Sequence, residues 1–179
     1  MPGKWFRLLL ALLLMAGMHA SRASDGGLSN YRLGSGDKIS ITVFDEPELS
    51  ISKVRLSDAG TVSYPMLGEI KVLGLTVSQL ESLVTSKLKG KYLVDPQVSV
   101  SIDEYRQFYV NGMVQKPGGF PYEPGLTVRK AVSLAGGFQD RADRNNISVI
   151  HDNEKSPHKE SLDNPVEPGD TITVEESFF

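Results

Sequence analysis

The chain has 179 residues, of which 40% are hydrophobic and 23% charged, a length that suits one domain or two small ones. Its formal charge is −3 and becomes −6 once a leader holding Lys4, Arg7 and Arg22 but no acid is removed; without any basic run, that balance argues against nucleic acid or anionic lipid headgroups as partners. There is no cysteine, so disulfides and a Cys-His nucleophile are both excluded, and 17 glycines with 10 prolines indicate many turns.

Residues 1–23 stand apart. Lys4 and Arg7 precede an apolar run from Leu8 to Gly17, and Ser21-Arg22-Ala23 offers small residues at the −3 and −1 positions of a cleavage site. This is the pattern of a signal peptide cut between Ala23 and Ser24, and it is too short to span a membrane. A polar linker, 25–30, follows. Ile39, Ile41 and Val43 then alternate with Lys38, Ser40 and Thr42, as in an amphipathic strand. Val54–Leu56 reads as a second strand and Ser57–Thr61 as a hairpin turn leading to Val62–Pro65 and then Met66–Val72. Thr76 is placed to cap a helix in which Val77, Leu80, Leu83, Val84 and Leu88 form one stripe, ended by Gly90. Leu93–Ile102 closes this half as a strand. Two hairpins, one helix and a final strand make an α+β domain.

The second half is organised around Phe108–Phe138. Phe108, Val110 and Val114 alternate with Tyr109 and Asn111, and Gly112 interrupts them as a glycine at a bulge or close backbone approach does. Lys116-Pro117-Gly118-Gly119 reads as a turn. Phe120 and Tyr122 flank Pro121 in a short strand confined to a sheet edge. Thr127 caps a short helix with Val128, Ala131, Val132 and Ala135 on one face, stopped by Gly136-Gly137. Ile147–Ile150 is a strand, 152–160 a solvated loop or hairpin tip, and Thr171–Val174 the last strand. Gly36-Asp37-Lys38-Ile39-Ser40-Ile41 is echoed by Gly169-Asp170-Thr171-Ile172-Thr173-Val174. In each copy glycine makes a turn and aspartate caps it.

Two sets of motifs carry a resemblance. The first is Tyr31-Arg32-Leu33-Gly34-x-Gly36-Asp37, Leu56-x-Asp58-x-Gly60-x-Val62-x-Tyr64-Pro65, Gly74-Leu75-Thr76 and Asp95-Pro96-Gln97-Val98. It is similar to the N-terminal polysaccharide-export domain. The second is Val110-x-Gly112-x-Val114-x-x-Pro117-Gly118, Leu126-Thr127-Val128 and Leu134-Ala135-Gly136-Gly137-Phe138. It resembles the soluble-ligand-binding β-grasp (SLBB) module. In this order they resemble the bacterial polysaccharide export family, which includes the Wza-like capsule translocons. The resemblance implies a signal peptide over 1–23, a polysaccharide-export domain over 28–103 and an SLBB β-grasp domain over 106–176.

It also implies a role without catalysis or cofactor: a periplasmic homo-oligomeric ring that conducts capsular polysaccharide or exopolysaccharide, working with an inner-membrane polysaccharide co-polymerase and its tyrosine kinase. Head-to-tail packing of such modules closes into a ring when the rotation permits. The chain departs from the full-length pattern in having no lipid-bearing cysteine, no further SLBB repeat and no C-terminal amphipathic helix. The expectation is therefore a separate outer-membrane β-barrel partner. A stand-alone periplasmic glycan-binding module, or a regulator of the co-polymerase, is the alternative.

Reactive groups are sparse. His151 and His158 sit in the polar loop, where solvated side chains rather than metal ligands are expected. Asp45-Glu46 and Glu175-Glu176 are adjacent, so strand geometry points each pair to opposite faces rather than at one glycosidic bond. The rings of Tyr105, Phe108, Tyr109, Phe120, Tyr122 and Phe138 are expected mainly in the core, with Tyr109 and Tyr122 as the candidates for glycan contact.

Overall fold

The computed structural model describes residues 30–152 and 154–177. The expected signal peptide and its Ala23–Ser24 cleavage site lie outside the described residues.

The alternation at 38–43 forms β1 (Lys38–Val43), whose Ile39, Ile41 and Val43 are buried. It is the middle strand of an antiparallel sheet in the order β2-β1-β5, between β2 (Ile51–Arg55) and β5 (Val98–Glu104). Opposite β1, Ile102, Val100 and Val98 pair with Ile39, Ile41 and Val43, so apolar side chains stack across the ladder. β3 (Thr61–Tyr64) and β4 (Gly68–Lys71) form a separate two-stranded ladder.

Boundaries in this half differ from the sequence reading, and β2 covers Ile51–Arg55 rather than Val54–Leu56. Ser57–Thr61 is a turn, but not a hairpin turn, because β2 and β3 lie in different sheets. Gly60, at φ +68°, accepts hydrogen bonds on its carbonyl from Val72 N (2.9 Å) and Leu73 N (3.0 Å). The turn is thus held by the segment after β4 and carries the chain out of the first sheet. β5 starts at Val98 rather than Leu93. The backbone of Leu93 is committed to the end of the preceding helix, with its N–H on Leu88 O (3.1 Å) and its carbonyl taking Gly90 N (2.7 Å), and Pro96 has no N–H for a ladder.

That helix, α1 (Val77–Leu88), begins with a reciprocal cap. Thr76 Oγ1 accepts from Gln79 N (3.3 Å), and Gln79 Oε1 accepts from Thr76 N (2.9 Å). Leu80, Val84 and Leu88 are fully buried, each contributing about 1.5–3 kcal/mol. Val77 and Leu83 pack at the margins of the same core. Glu81 at the exposed edge of the stripe accepts from Val100 N (2.9 Å), tying α1 to the free edge of β5.

The second half is a five-stranded sheet in the order β7-β6-β10-β8-β9. Its strands are β6 (Phe108–Gly112), β7 (Gly118–Phe120), β8 (Ala142–Ile150), β9 (His158–Glu160) and β10 (Thr171–Glu176). β6 and β10 run parallel at its centre and the other pairs are antiparallel. α2 (Val128–Leu134) covers one face: Thr127 Oγ1 accepts from Lys130 N (3.4 Å), and Val128, Ala131, Val132 and Ala135 are buried. The small alanines set how closely the helix approaches.

Gly118 and Gly119, read as part of a turn, instead belong to β7, which ends before Pro121. The strand keeps its expected edge position. β8 extends N-terminally beyond Ile147–Ile150; Arg144–Asn146 are exposed, and Asp143–Asn146 carry no apolar alternation to announce a strand. The two halves keep separate cores, one around Ile39, Leu80 and Val84, the other around Phe108, Val132 and Ile172. The architecture is α+β.

Candidate functional site

The repeated Gly-Asp turns have one geometry. Gly36 (φ +94°) and Gly169 (φ +93°) supply the left-handed step. In each copy the carboxylate accepts the N–H three residues back: Gly34 N to Asp37 Oδ2 (2.7 Å), Glu167 N to Asp170 Oδ2 (2.8 Å). Each aspartate backbone carbonyl then accepts from a neighbouring segment, Leu56 N in one case and Tyr109 N in the other, both at 2.8 Å. The capping role expected for these aspartates is what the structure contains, and both side chains are completely buried.

A buried carboxylate needs further partners. For Asp37 they come from Tyr105–Gln107, the short connector between β5 and β6. Arg106 N donates to Asp37 Oδ1 (2.7 Å), and Tyr31 OH donates to Oδ2 (2.6 Å). The Arg106 guanidinium donates to the Tyr31 hydroxyl oxygen, Oη (2.5 Å), lies 3.4 Å from Asp37 Oδ2, and reaches Asp152 of the second half at 3.0 Å. Burial, then the Asp37 carboxylate, push the Tyr31 hydroxyl far above its ordinary range, so it stays a neutral relay between guanidinium and acid.

Both glycine turns lie against Arg106. A Cβ on Gly36 would sit 3.5 Å from Arg106 Cβ, and one on Gly169 would fall 2.7 Å from Arg106 Nε. This arginine therefore joins the two halves. Sequence reasoning did not single it out. The available signal was a lone base in a three-residue connector between two modules, each containing a Gly-Asp turn whose acid directly precedes a strand of alternating apolar residues.

Over this joint opens a cleft of about 730 Å³. Its lining includes Tyr109, Tyr122 and Glu123 of the second half, Arg55 and Glu104 of the first, and Tyr105–Gln107 of the connector. Tyr31, Tyr105 and Tyr122 form an edge-to-face ladder, with centroids 5.1 and 5.4 Å apart. Burial raises the hydroxyls of Tyr105 and Tyr122 above their ordinary value, which keeps them neutral. Tyr109 is 47% exposed on the cleft wall. Gly119 has no side chain to displace its ring: a Cβ there would meet Gln107 Oε1 at 2.8 Å and Tyr109 Cε1 at 3.0 Å. The other aromatics serve packing. Phe108 stacks on Phe120 (5.8 Å), and Phe138 lies under Arg144 (5.4 Å).

The histidines depart from the solvated-loop reading. His151 Nδ1 lies 2.9 Å from the buried Asp170 Oδ1, and its ring stacks on His158, which in turn contacts Glu154 at 2.6 Å. Desolvation lowers the His151 pKa, but the Asp170 hydrogen bond and charge, with Glu154 and Glu167, outweigh it, and the net shift is upward from 6.5. A raised folded-state value stabilises the fold fully below the unfolded value and loses that contribution as pH rises through the folded one. The difference in stability between the wild type and His151→Gln is therefore expected to be largest below pH ~6 and to shrink on going towards pH ~8. Its size should be at most about 1 kcal/mol for this partly exposed pair, read by urea denaturation across that range. A difference that grew with pH would contradict the assignment.

Residues 26–103 match the family described as "Polysaccharide biosynthesis/export protein", and residues 107–160 match the SLBB domain, in tandem on either side of the connector. The chain belongs to the polysaccharide export family. Among its relatives is the exopolysaccharide production protein ExoF of Rhizobium meliloti, 38% identical over 144 residues, which cover 74% of this chain and 34% of that protein. The EPS I polysaccharide export outer membrane protein EpsA of Ralstonia nicotianae is 31% identical over 133 residues, 60% of this chain and 35% of EpsA. The polysialic acid transport protein KpsD of Escherichia coli is 32% identical over 100 residues, 55% of this chain and 18% of KpsD. The chain thus spans about a third or less of the length of these curated relatives.

Proposed function

We propose that this chain is a periplasmic component of a capsular polysaccharide or exopolysaccharide export machine, forming or completing an oligomeric conduit towards the outer membrane. The observation that carries this reading is the tandem of the two matched modules, with relatives named for polysaccharide production, export and transport. The role is binding and conduction without catalysis or cofactor. The proposed organisation is a signal peptide over 1–23 cleaved before Ser24, a polysaccharide-export domain over 28–103 and an SLBB β-grasp domain over 106–176. Its proposed partners are further copies of itself, an inner-membrane co-polymerase with its tyrosine kinase, and a separate outer-membrane β-barrel. Among the described residues no helix is long and apolar enough to cross a membrane.

The cleft above Arg106 favours a second reading, a periplasmic glycan-binding module that acts without forming a conduit. A clean deletion in the source bacterium, complemented by the 1–179 chain, separates the two. Export predicts that surface and secreted polymer fall and are restored, and that the purified native protein is oligomeric. Unchanged polymer in the deletion strain would overturn the export reading, and a monomer with glycan affinity would install the second.

A further inference from the structure

We infer that the cleft between the two modules is a saccharide subsite selective for uncharged glycosyl units, and that it works against acidic ones such as uronates. This deepens the export reading and rests on it. The cleft volume, about 730 Å³, lies within the roughly 300–1,000 Å³ of small-ligand sites.

Its chemistry is that of a sugar-binding surface. Tyr109 is half exposed, and Tyr105 and Tyr122, edge-to-face with one another, line the same cleft. Aromatic rings of this kind offer an apolar face to sugar C–H groups and a polar tip to hydroxyls. The hydroxyls of Tyr105, Tyr109 and Tyr122 have no hydrogen bond to the described residues, so they are open to the hydroxyls of a glycan. The ladder from Tyr31 pre-places the rings of Tyr105 and Tyr122, and the bare Gly119 leaves room for that of Tyr109.

Charge decides the class. The lining carries two cations against four acids, and each cation already faces one of those acids: Arg55 lies 3.8 Å from Glu104 and also donates to Gly36 O (2.6 Å), and Arg106 reaches Asp152 (3.0 Å). Of the lining acids, Asp103 accepts from Ser40 (2.6 Å), Glu104 from Lys38 (2.7 Å) and Asp152 from Arg106 (3.0 Å). Glu123 has no ion pair or side-chain hydrogen bond among the described residues. An anionic sugar entering here would meet a lining with an excess of acids, Asp103 and Glu123 having no ion pair among the described residues, and would have to compete with Glu104 for Arg55 and with Asp152 for Arg106. A neutral unit would bring no charge into this acidic lining and would find hydroxyls, rings and carboxylate acceptors there. Weak binding suits such a surface, because a polymer must enter it and also leave.

The test uses the mature chain with its six tyrosines isotope-labelled at the ring and followed by NMR. It is titrated with a neutral β-glucan hexasaccharide and with an oligogalacturonate of equal length at low salt. The Tyr109 and Tyr122 signals should shift with the neutral sugar at millimolar concentration, and binding of the uronate should be at least tenfold weaker. That gap should narrow as salt is added. Tyr109→Ala should lose at least fivefold in affinity for the glucan. Glu123→Gln, an exposed and isosteric change, should strengthen uronate binding at least threefold while leaving the glucan unaffected.

Equal or tighter uronate binding, or glucan binding that leaves Tyr109 and Tyr122 unmoved, would overturn the inference. So would concentration-dependent shifts of these two signals without sugar, which would make the cleft a contact between copies. Complementation of the deletion strain keeps the two failures apart. If the wild type restores export and binds no sugar in the cleft, the subsite fails and the export reading stands. If the wild type restores nothing, the export reading fails first.

Discussion

Arg106→Ala should destabilise the protein by about 3 kcal/mol, the lower end of the roughly 3–5 kcal/mol for removing one partner of a buried ion pair. The reasoning starts from Asp37, which has no exposure at all. Deleting the guanidinium leaves that acid with three neutral donors, Gly34 N, the backbone N of residue 106 and Tyr31 OH. Those donors are why the cost stays at the low end. Tyr31 loses its own donor, and Asp152 loses its partner across the joint. Chemical denaturation measures the total.

A second readout separates a joint from a mere stabiliser. Limited proteolysis of Arg106→Ala should cut within the connector at Tyr105–Gln107 before either module is degraded. Arg106→Lys keeps the charge but not a planar fork able to reach Tyr31 and Asp152 together, so it should recover only part of the loss. Uniform proteolysis with wild-type stability would refute the role.

Gly112→Val should cost more, about 4 kcal/mol. Gly112 has φ +79° and faces Val174 in the parallel β6–β10 pair at the centre of the sheet. A left-handed conformation costs an ordinary residue about 1–2 kcal/mol and a β-branched one more. The added Cβ would also collide with the Val174 carbonyl oxygen, which is backbone and has no rotamer to escape into. Forcing atoms into a packed region adds about 1–3 kcal/mol. The expected result is loss of cooperative thermal unfolding in the second module, while the first, with its own core around Ile39 and Leu80, keeps its α-helical circular dichroism from α1. Gly68→Val is the comparison. It also has positive φ, at +71°, but a Cβ there meets nothing within 4 Å, so it should show the strain without the collision.

Local rules carried much of the fold. The stripe of α1, the alternation of β1 and β6, the caps at Thr76 and Thr127 and the glycine stops depend on residues within a few positions of one another, and each stands where the chain order put it. The Gly-Asp repeat was legible for the same reason, because the acid caps an N–H three residues away. The readings that moved were decided at long range. Ser57–Thr61 looks like a hairpin turn until Val72 and Leu73 bind Gly60. Gly118-Gly119 looks like a turn until β6 pairs with it.

The candidate site was legible only as a pair of residue types. Tyr109 and Tyr122 could be named as aromatic candidates, but nothing in the spacing placed them over one cleft with Tyr105 and Glu123. By itself, the sequence determined the α+β class, the two modules in their order, the kinship to polysaccharide export proteins and the acidic balance, because these rest on local periodicity, motif spacing and composition. Tertiary structure alone decided that Arg106 joins the halves, that His151 meets Asp170, and which charges of the cleft are left unpaired. The physical reason is that a buried charge takes its partner from whatever the fold brings within about 3 Å, and sequence separation does not limit that choice.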